Sequence, residues 1–362
     1  QLGRGPEGLV VVAVASDTEP AGSPSAPANS RRPTAGAGFG ALKQVLLLKE
    51  GSIIVVTLIT IIYFAITTSN FLTKTTFINT LPYFAPYAIL AAGEVFVMIN
   101  GEIDLSIGGT FLISPFIFNE FTSAHIPLVI AMILAIFVCS VVGLINGFFV
   151  SVIGVTSFVT TLGSLFALYG LTLVISHDQQ INTPGTSVLG GGTFASIFGS
   201  GTYSELFWAI GIVIILQLAL SFTKWGLYTV AVGGNRLGAK EAGINEKANI
   251  IRNFVVCGTL AGFVGILEAV RTQSGSPDPA SAGSLLFQAI AAAVIGGTLL
   301  IGGFGTVVGA LIGALFLGVV YEGLSIKGVN ANYVDLYLGI AILIAMTINI
   351  YIARVRTRSG HG

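Results

Sequence analysis

Apolar residues in this chain recur in long, nearly unbroken runs, and the polar residues collect between them. Ten such runs stand at roughly 53–68, 81–99, 108–118, 126–150, 157–176, 205–222, 251–270, 287–300, 306–325 and 333–352. Most approach the ~20 residues that an α-helix needs to cross a bilayer. The pattern predicts an all-α polytopic membrane protein of about ten transmembrane helices. The third and eighth runs are short and flanked by glycine, which predicts broken or re-entrant helices lining a cavity.

Composition narrows the class further. Charged residues make up 9% of the chain, against roughly 25% in soluble domains, and the mean hydropathy is +0.90. A soluble enzyme is excluded on these grounds. The formal net charge is zero, so overall charge says nothing about partners. The two cysteines, Cys139 and Cys257, fall inside apolar runs and read as small packing residues. His125, His177 and His361 are isolated from one another, so no metal site is expected. Residues 1–40 are dominated beyond Ser16 by Ala, Pro, Ser, Gly and Thr and read as a disordered N-terminal tail. Its apolar run at 9–15 is too short to span a bilayer. The membrane domain is expected over 41–353, followed by a C-terminal tail over 354–362.

The basic residues predict an orientation. Arg4, Arg31, Arg32, Lys43 and Lys49 precede the first run, Lys224, Arg236, Lys240, Lys247 and Arg252 lie in a central interval, and Arg354, Arg356 and Arg358 end the chain. Six runs and then four separate these clusters, so even parity places all three in the cytoplasm with both termini inside. The interval 177–204 contains no Lys or Arg and is expected to face outward.

The central loop, 223–250, is the longest strongly polar and basic interval. Asn235 is placed as an N-cap and Gly243 as a C′ residue, which predicts a two-turn helix over 236–242. A helix that short is marginal unless something packs against it. Two readings stay open, a topogenic loop that only fixes orientation and a docking element for a cytoplasmic partner. Two echoing stretches, 141–147 and 307–313, each contain G-x-x-x-G. Such a motif lets a neighbouring helix approach closely, and the echo is a faint sign of duplication.

The candidate polar groups of the interior are Glu94, Asn100, Glu102, Asp104 and Ser106. A carboxylate at a helix centre costs about 2.5–3.5 kcal/mol on insertion scales, so these residues need partners or water. Capping of the following helix accounts for Asp104 or Ser106, and a polar translocation path is the functional alternative. Glu268 has Arg271 three residues on and reads as a structural pair. The chain contains no G-x-x-x-x-G-K-[S/T] phosphate loop, so it is not expected to hydrolyse ATP. It also shows no Ser/His/Asp or Cys/His arrangement and no nucleic-acid module.

Five stretches then carry a resemblance: GEIDLSIG at 101–108, GLINGFFV at 143–150, TSFVTTLG at 156–163, VGGNRLGAKEAGIN at 232–245, and AAAVIGGTLLIGGFGTVVGALIG at 291–313. From about 81 to 352 the chain resembles the integral-membrane permease subunits of bacterial ABC importers for ribose, xylose, arabinose and similar simple sugars. The first stretch is similar to that family's G-G-I-D-L-S-V-G and the fourth to its cytoplasmic loop.

The resemblance implies a type II importer architecture in the bacterial cytoplasmic membrane. Two permease subunits, a homodimer in the simplest case, would meet cytoplasmic ABC ATPase domains that bind the ATP, and an extracytoplasmic sugar-binding protein would deliver the solute. Lipid would surround the bundle, and no nucleic acid or resident cofactor is implied. The central helix becomes the coupling helix, with Asn235, Arg236, Lys240, Glu241, Ala242, Gly243, Ile244 and Asn245 as the coupling residues and Gly243 aiming Ile244 at the ATPase. Departures from the family pattern are Glu102 for a usual Gly, Glu94 at an often apolar position and Phe304 at an often basic one. Permeases for branched-chain amino acids or nucleosides are the neighbouring alternatives. An ion-coupled transporter using Glu94, Glu102 and Asp104, and a non-transporting membrane scaffold, are the alternatives outside the class.

Overall fold

The computed structural model describes residues 50–183 and 191–359. The tail over 1–40 lies outside the described residues. The elements run α1 (Gly51–Thr67), α2 (Lys74–Thr80), a 3-10 turn (Leu81–Tyr83), α3 (Ala85–Ile99), α4 (Ser106–Ser123), α5 (Leu128–Phe148), a π turn (Phe149–Ile153) and α6 (Ser157–Ser176). They continue through α7 (Gly191–Ile197), α8 (Ser204–Phe222), α9 (Lys224–Gly234), α10 (Arg236–Glu241), α11 (Glu246–Thr272), α12 (Pro279–Ile295), α13 (Val307–Ile326) and α14 (Ala331–Ser359). No strand occurs among the described residues; Ile181 and Gly275 form an isolated bridge.

The architecture is an all-helical, multi-pass membrane bundle. By length and apolarity, six of its helical spans suffice to cross a bilayer: Leu128–Ile153, Ser157–Ser176, Ser204–Phe222, Glu246–Thr272, Val307–Ile326 and Ala331–Ile348. The pair Lys74–Tyr83 and Ala85–Ile99 adds a seventh if its 41° bend is read as one broken span. The remaining apolar runs correspond to shorter or more polar helices, α1, α4 and α12. The break expected in the third run is absent, because α4 is one continuous helix with Pro115 inside it. The broken element is instead the second run, where Pro82 and Pro86 sit at the first turns of the 3-10 segment and α3. Proline starts a helix well but cannot donate to the turn before it.

α3 is the centre of the bundle: every residue in it except Tyr87 is buried. It is surrounded by α8, α11, α12 and α13. Such a helix has no lipid-facing side, which frees it to carry Glu94. The outer helices show the opposite pattern, with Phe137, Phe166, Phe207 and Ile215 exposed on their flanks. An apolar outside around polar buried groups suits a lipid surround.

The most extensive helix–helix contact joins α5 to α11. A Cβ at Gly143 would lie 2.2 Å from the Phe254 carbonyl oxygen, and one at Gly147 would lie 2.7 Å from the Ile251 Cα. The second G-x-x-x-G does the same work on α13, where a Cβ at Gly309 would meet the Gly296 carbonyl at 2.1 Å and one at Gly313 the Ala292 carbonyl at 2.1 Å. Both motifs are close-approach sites between neighbouring helices.

Candidate functional site

The central loop folds as more than one short helix. Thr223 accepts a hydrogen bond from the Gly226 amide (3.3 Å) and starts α9, an element the sequence reading passed over. Trp225, Thr229 and Val232 recur at helical spacing on its inner face, and this was the available signal. α10 begins where expected, with the Asn235 side chain accepting from the Gly238 amide at 2.9 Å. It ends one residue early, at Glu241, with Ala242 as C-cap.

The exit from α10 has the geometry of a Schellman turn. Gly243 sits at φ +82°, its amide donates to the Lys240 carbonyl (3.0 Å), and the Ile244 amide donates to the Ala239 carbonyl (3.0 Å). Ile244 is consequently not aimed outward: it is half-buried and packs on this chain's own core. Asn245 caps the next helix, accepting from the Ala248 amide at 3.0 Å. Lys240, Glu241 and Ala242 are exposed. The same surface bears Leu237, 67% exposed, a residue the sequence reading did not single out.

Arg236 ties this unit to the bundle. Its guanidinium donates to Glu102 Oε1 at 2.6 Å and to the Asn100 carbonyl at 3.1 Å. The Asn100 side chain extends the connection inward: its amide donates to the Thr229 carbonyl (2.9 Å), and Asn253 donates to its Oδ1 (2.6 Å). Trp225 donates to Asn253 Oδ1 (2.7 Å) and stacks on Phe96 with centroids 4.4 Å apart. Around this network three backbones converge. The Gly303 amide donates to the Ile99 carbonyl at 2.8 Å, and a Cβ at Gly233 would lie 1.6 Å from the same oxygen.

The interior acids separate into different settings. Asp104 Oδ1 accepts from the Ser106 amide (2.9 Å) and hydroxyl (2.5 Å), so it closes the first turn of α4. Asn146 then donates to the Ser106 hydroxyl (2.7 Å), and Ser164 donates to Asn146 (2.5 Å). Glu94 is wholly buried beside Asp104 and Cys257, and neither of its oxygens has a well-formed hydrogen bond. The structure thus joins Asn100 and Glu102 to Arg236, and Asp104 to Ser106. These are two distinct hydrogen-bonded groups, with Glu94 beside the second. A cavity of about 290 Å³ opens elsewhere, at the opposite end of α11, and none of the five lines it. No group of three or more metal-ligating side chains occurs among the described residues.

Residues 76–346 match the protein family described as a branched-chain amino acid transport system permease component. The chain is 33% identical over 316 residues to a xylose/arabinose import permease protein of Sulfolobus acidocaldarius, spanning 84% of this chain and 86% of the relative. It is 31% identical over 306 residues to a ribose import permease protein of Escherichia coli, spanning 83% of this chain and 94% of the relative. A D-allose transport system permease protein of Escherichia coli is 28% identical over 310 residues, with 84% and 93% spanned. No solved structure matches the chain.

Proposed function

The chain belongs to this family of membrane permease components, and on that premise we propose that it is the membrane-spanning subunit of an ATP-driven importer passing a monosaccharide. As a permease it is a transport component rather than an enzyme. One observation carries the choice of solute: relatives covered nearly end to end are named for import of xylose or arabinose, ribose and allose. In this reading an external binding protein delivers the sugar and a separate cytoplasmic ATPase binds the ATP. A second copy of the chain completes the translocation unit, ten segments cross the bilayer, and both termini lie in the cytoplasm.

α10 is the surface on which the ATPase acts. Support comes from its rigid capping at both ends and from the Arg236 link to the turn before α4. The exposed Leu237 adds apolar area to that surface which a partner would cover. A domain movement delivered there reaches α3 and α4 through Asn100 and Glu102 without crossing lipid.

The family description favours one second reading, in which the solute is a branched-chain amino acid. An ion-coupled mechanism has less support, since Glu102 is held by Arg236 and Asp104 by Ser106. Proteoliposomes containing the permease, its ATPase and its binding protein separate the cases. Uptake of radiolabelled ribose, xylose or allose that requires both ATP and the binding protein is the expected result. Uptake of leucine alone under those conditions overturns the choice of sugar, and uptake driven by an ion gradient without ATPase overturns the importer reading.

A further inference from the structure

At the end of the bundle away from α10, helices α3, α4, α11 and α12 surround the cavity of about 290 Å³. α11 spans the distance between the two sites, about 40 Å at 1.5 Å per residue, with Asn245 capping one end and Glu268 and Thr272 near the other. The wall is chemically mixed. α4 contributes only apolar groups, Phe111, Leu112 and Pro115, whereas α11 and the first turn of α12 contribute Glu268, Thr272 and Ser281. α3 adds Tyr87, the one residue of that helix which is not buried.

Local chemistry keeps this space open. Pro115 has no amide to offer the Phe111 carbonyl, and the Ser114 hydroxyl donates to that oxygen instead at 3.1 Å. Gly265 of α11 faces the same carbonyl, where a Cβ would lie 2.2 Å away. The two helices are in backbone contact at that point, beside the cavity that Phe111, Pro115 and Gly265 all line.

Glu268 is positioned rather than free to swing. Arg271 Nε donates to its Oε2 at 2.9 Å and Nη2 donates to its Oε1. The same guanidinium also pairs with Glu205 at 3.2 Å. One cation is therefore committed to two carboxylates, and no Lys or Arg lines the cavity itself. Each Glu268 oxygen retains a lone pair for a hydroxyl donor. An aromatic and aliphatic wall opposite fixed acceptors and hydroxyls suits a neutral polyhydroxylated ring, whose C–H faces are apolar and whose edges donate. A solute carrying its own carboxylate would find no uncommitted cation there.

We propose that this cavity is the permease's own monosaccharide subsite, reached after release from the binding protein, with Glu268, Ser281 and Tyr87 as its polar contacts. The proposal rests on the importer reading and adds to it a place within this chain where the sugar pauses.

The test uses the complete importer in proteoliposomes. Ser281→Trp is expected to fill the cavity and lower ribose, xylose or allose uptake at least tenfold, with binding-protein-stimulated ATP hydrolysis within twofold of wild type. Ser281→Cys provides a second measurement that needs no transport, because native Cys139 and Cys257 are buried. A water-soluble thiol reagent added on the binding-protein side should label it, and a transported sugar should slow that labelling at least threefold while leucine does not. Wild-type uptake together with near-normal uptake by Ser281→Trp and no protection of Ser281→Cys overturns the subsite alone. Wild-type failure on every sugar overturns instead the choice of sugar on which the subsite rests, and protection of Ser281→Cys by a sugar would still support the cavity assignment.

Discussion

Arg236 and Glu102 form an ion pair 2.6 Å long that joins the short helix α10 to the turn preceding α4, across 134 positions of sequence. The arginine side chain is 47% exposed and the glutamate 11%, so solvent screens one partner and much less the other. An exposed pair is worth about 0.2–1 kcal/mol, too little to hold the bundle together. Its value is geometric. Arg236 also reaches the Asn100 carbonyl, so two strong bonds fix the angle at which α10 leaves the bundle.

The first expectation follows from that role. Arg236→Gln and Glu102→Gln should each leave membrane abundance near wild type while lowering uptake severalfold, with ATP hydrolysis less responsive to the binding protein. The exchanged pair, Arg236→Glu with Glu102→Arg, should recover part of the loss. Measured uptake in the double variant no better than in the worse single variant would show that the pair does not link the two elements.

Gly243 and Gly233 should fail in different ways. Nothing lies within 4 Å of a Cβ at Gly243, so its only demand is the left-handed backbone at φ +82°. A β-branched residue there costs about 1–2 kcal/mol and loosens the end of α10. Gly243→Val should accumulate normally and transport poorly, and Gly243→Asn, which tolerates that conformation, should stay close to wild type. At Gly233 a Cβ would lie 1.6 Å from the Ile99 carbonyl, a clash that backbone must relieve. Gly233→Ala should therefore reduce the amount of folded protein, read by detergent-extracted thermal stability.

Glu94 offers a test of whether the solute passes it. It is wholly buried, lies away from the cavity and has no well-formed hydrogen bond. An unsatisfied buried polar group costs about 1–3 kcal/mol, so Glu94→Met should match or exceed wild-type thermal stability and retain uptake. Loss of uptake with stability intact would place Glu94 on the translocation path.

Local chemistry was the legible part. The caps Asn235 and Gly243, both G-x-x-x-G crossings and the Glu268–Arg271 pair stand where the sequence put them, because each depends on residues within a few positions. What escaped depends on long-range placement. Glu102 and Arg236 are remote in sequence, and nothing in either motif announces the other. A loop sequence likewise does not disclose that the Ile244 amide closes the turn and its side chain meets the core. Of the polar groups Glu94, Asn100, Glu102, Asp104 and Ser106, the structure ties Asn100 and Glu102 to Arg236, and Asp104 to Ser106. The polar lining of the cavity comes from Tyr87 on α3, Glu268 and Thr272 on α11, Ser274 and Ser276 in the following loop and Ser281 on α12, residues that only the fold brings together. Helix count from apolar runs also has a physical limit, since a shielded helix such as α4 is free to carry Ser, Thr and Asn and fall short of a lipid-facing profile.

The last expectation concerns orientation, which the two sites share. α10 and the cavity lie at opposite ends of α11, so one faces each side of the membrane if α11 crosses it. The positive-inside rule places the Lys240 end in the cytoplasm, and the parity of crossings then puts Thr193, exposed on α7, outside. In a cysteine-free background, Lys240→Cys should resist an impermeant thiol reagent in intact cells and react after permeabilisation, whereas Thr193→Cys should react at once. Ser281→Cys should follow Thr193→Cys, because the loop carrying Gly275 is bridged to Ile181 on the same side. Labelling of Lys240→Cys from outside would invert the molecule, placing the proposed ATPase surface where no ATP is available. Labelling of Lys240→Cys and Thr193→Cys from the same side would mean that an odd number of crossings separates 193 from 240 only on paper, and that α8 does not span the bilayer.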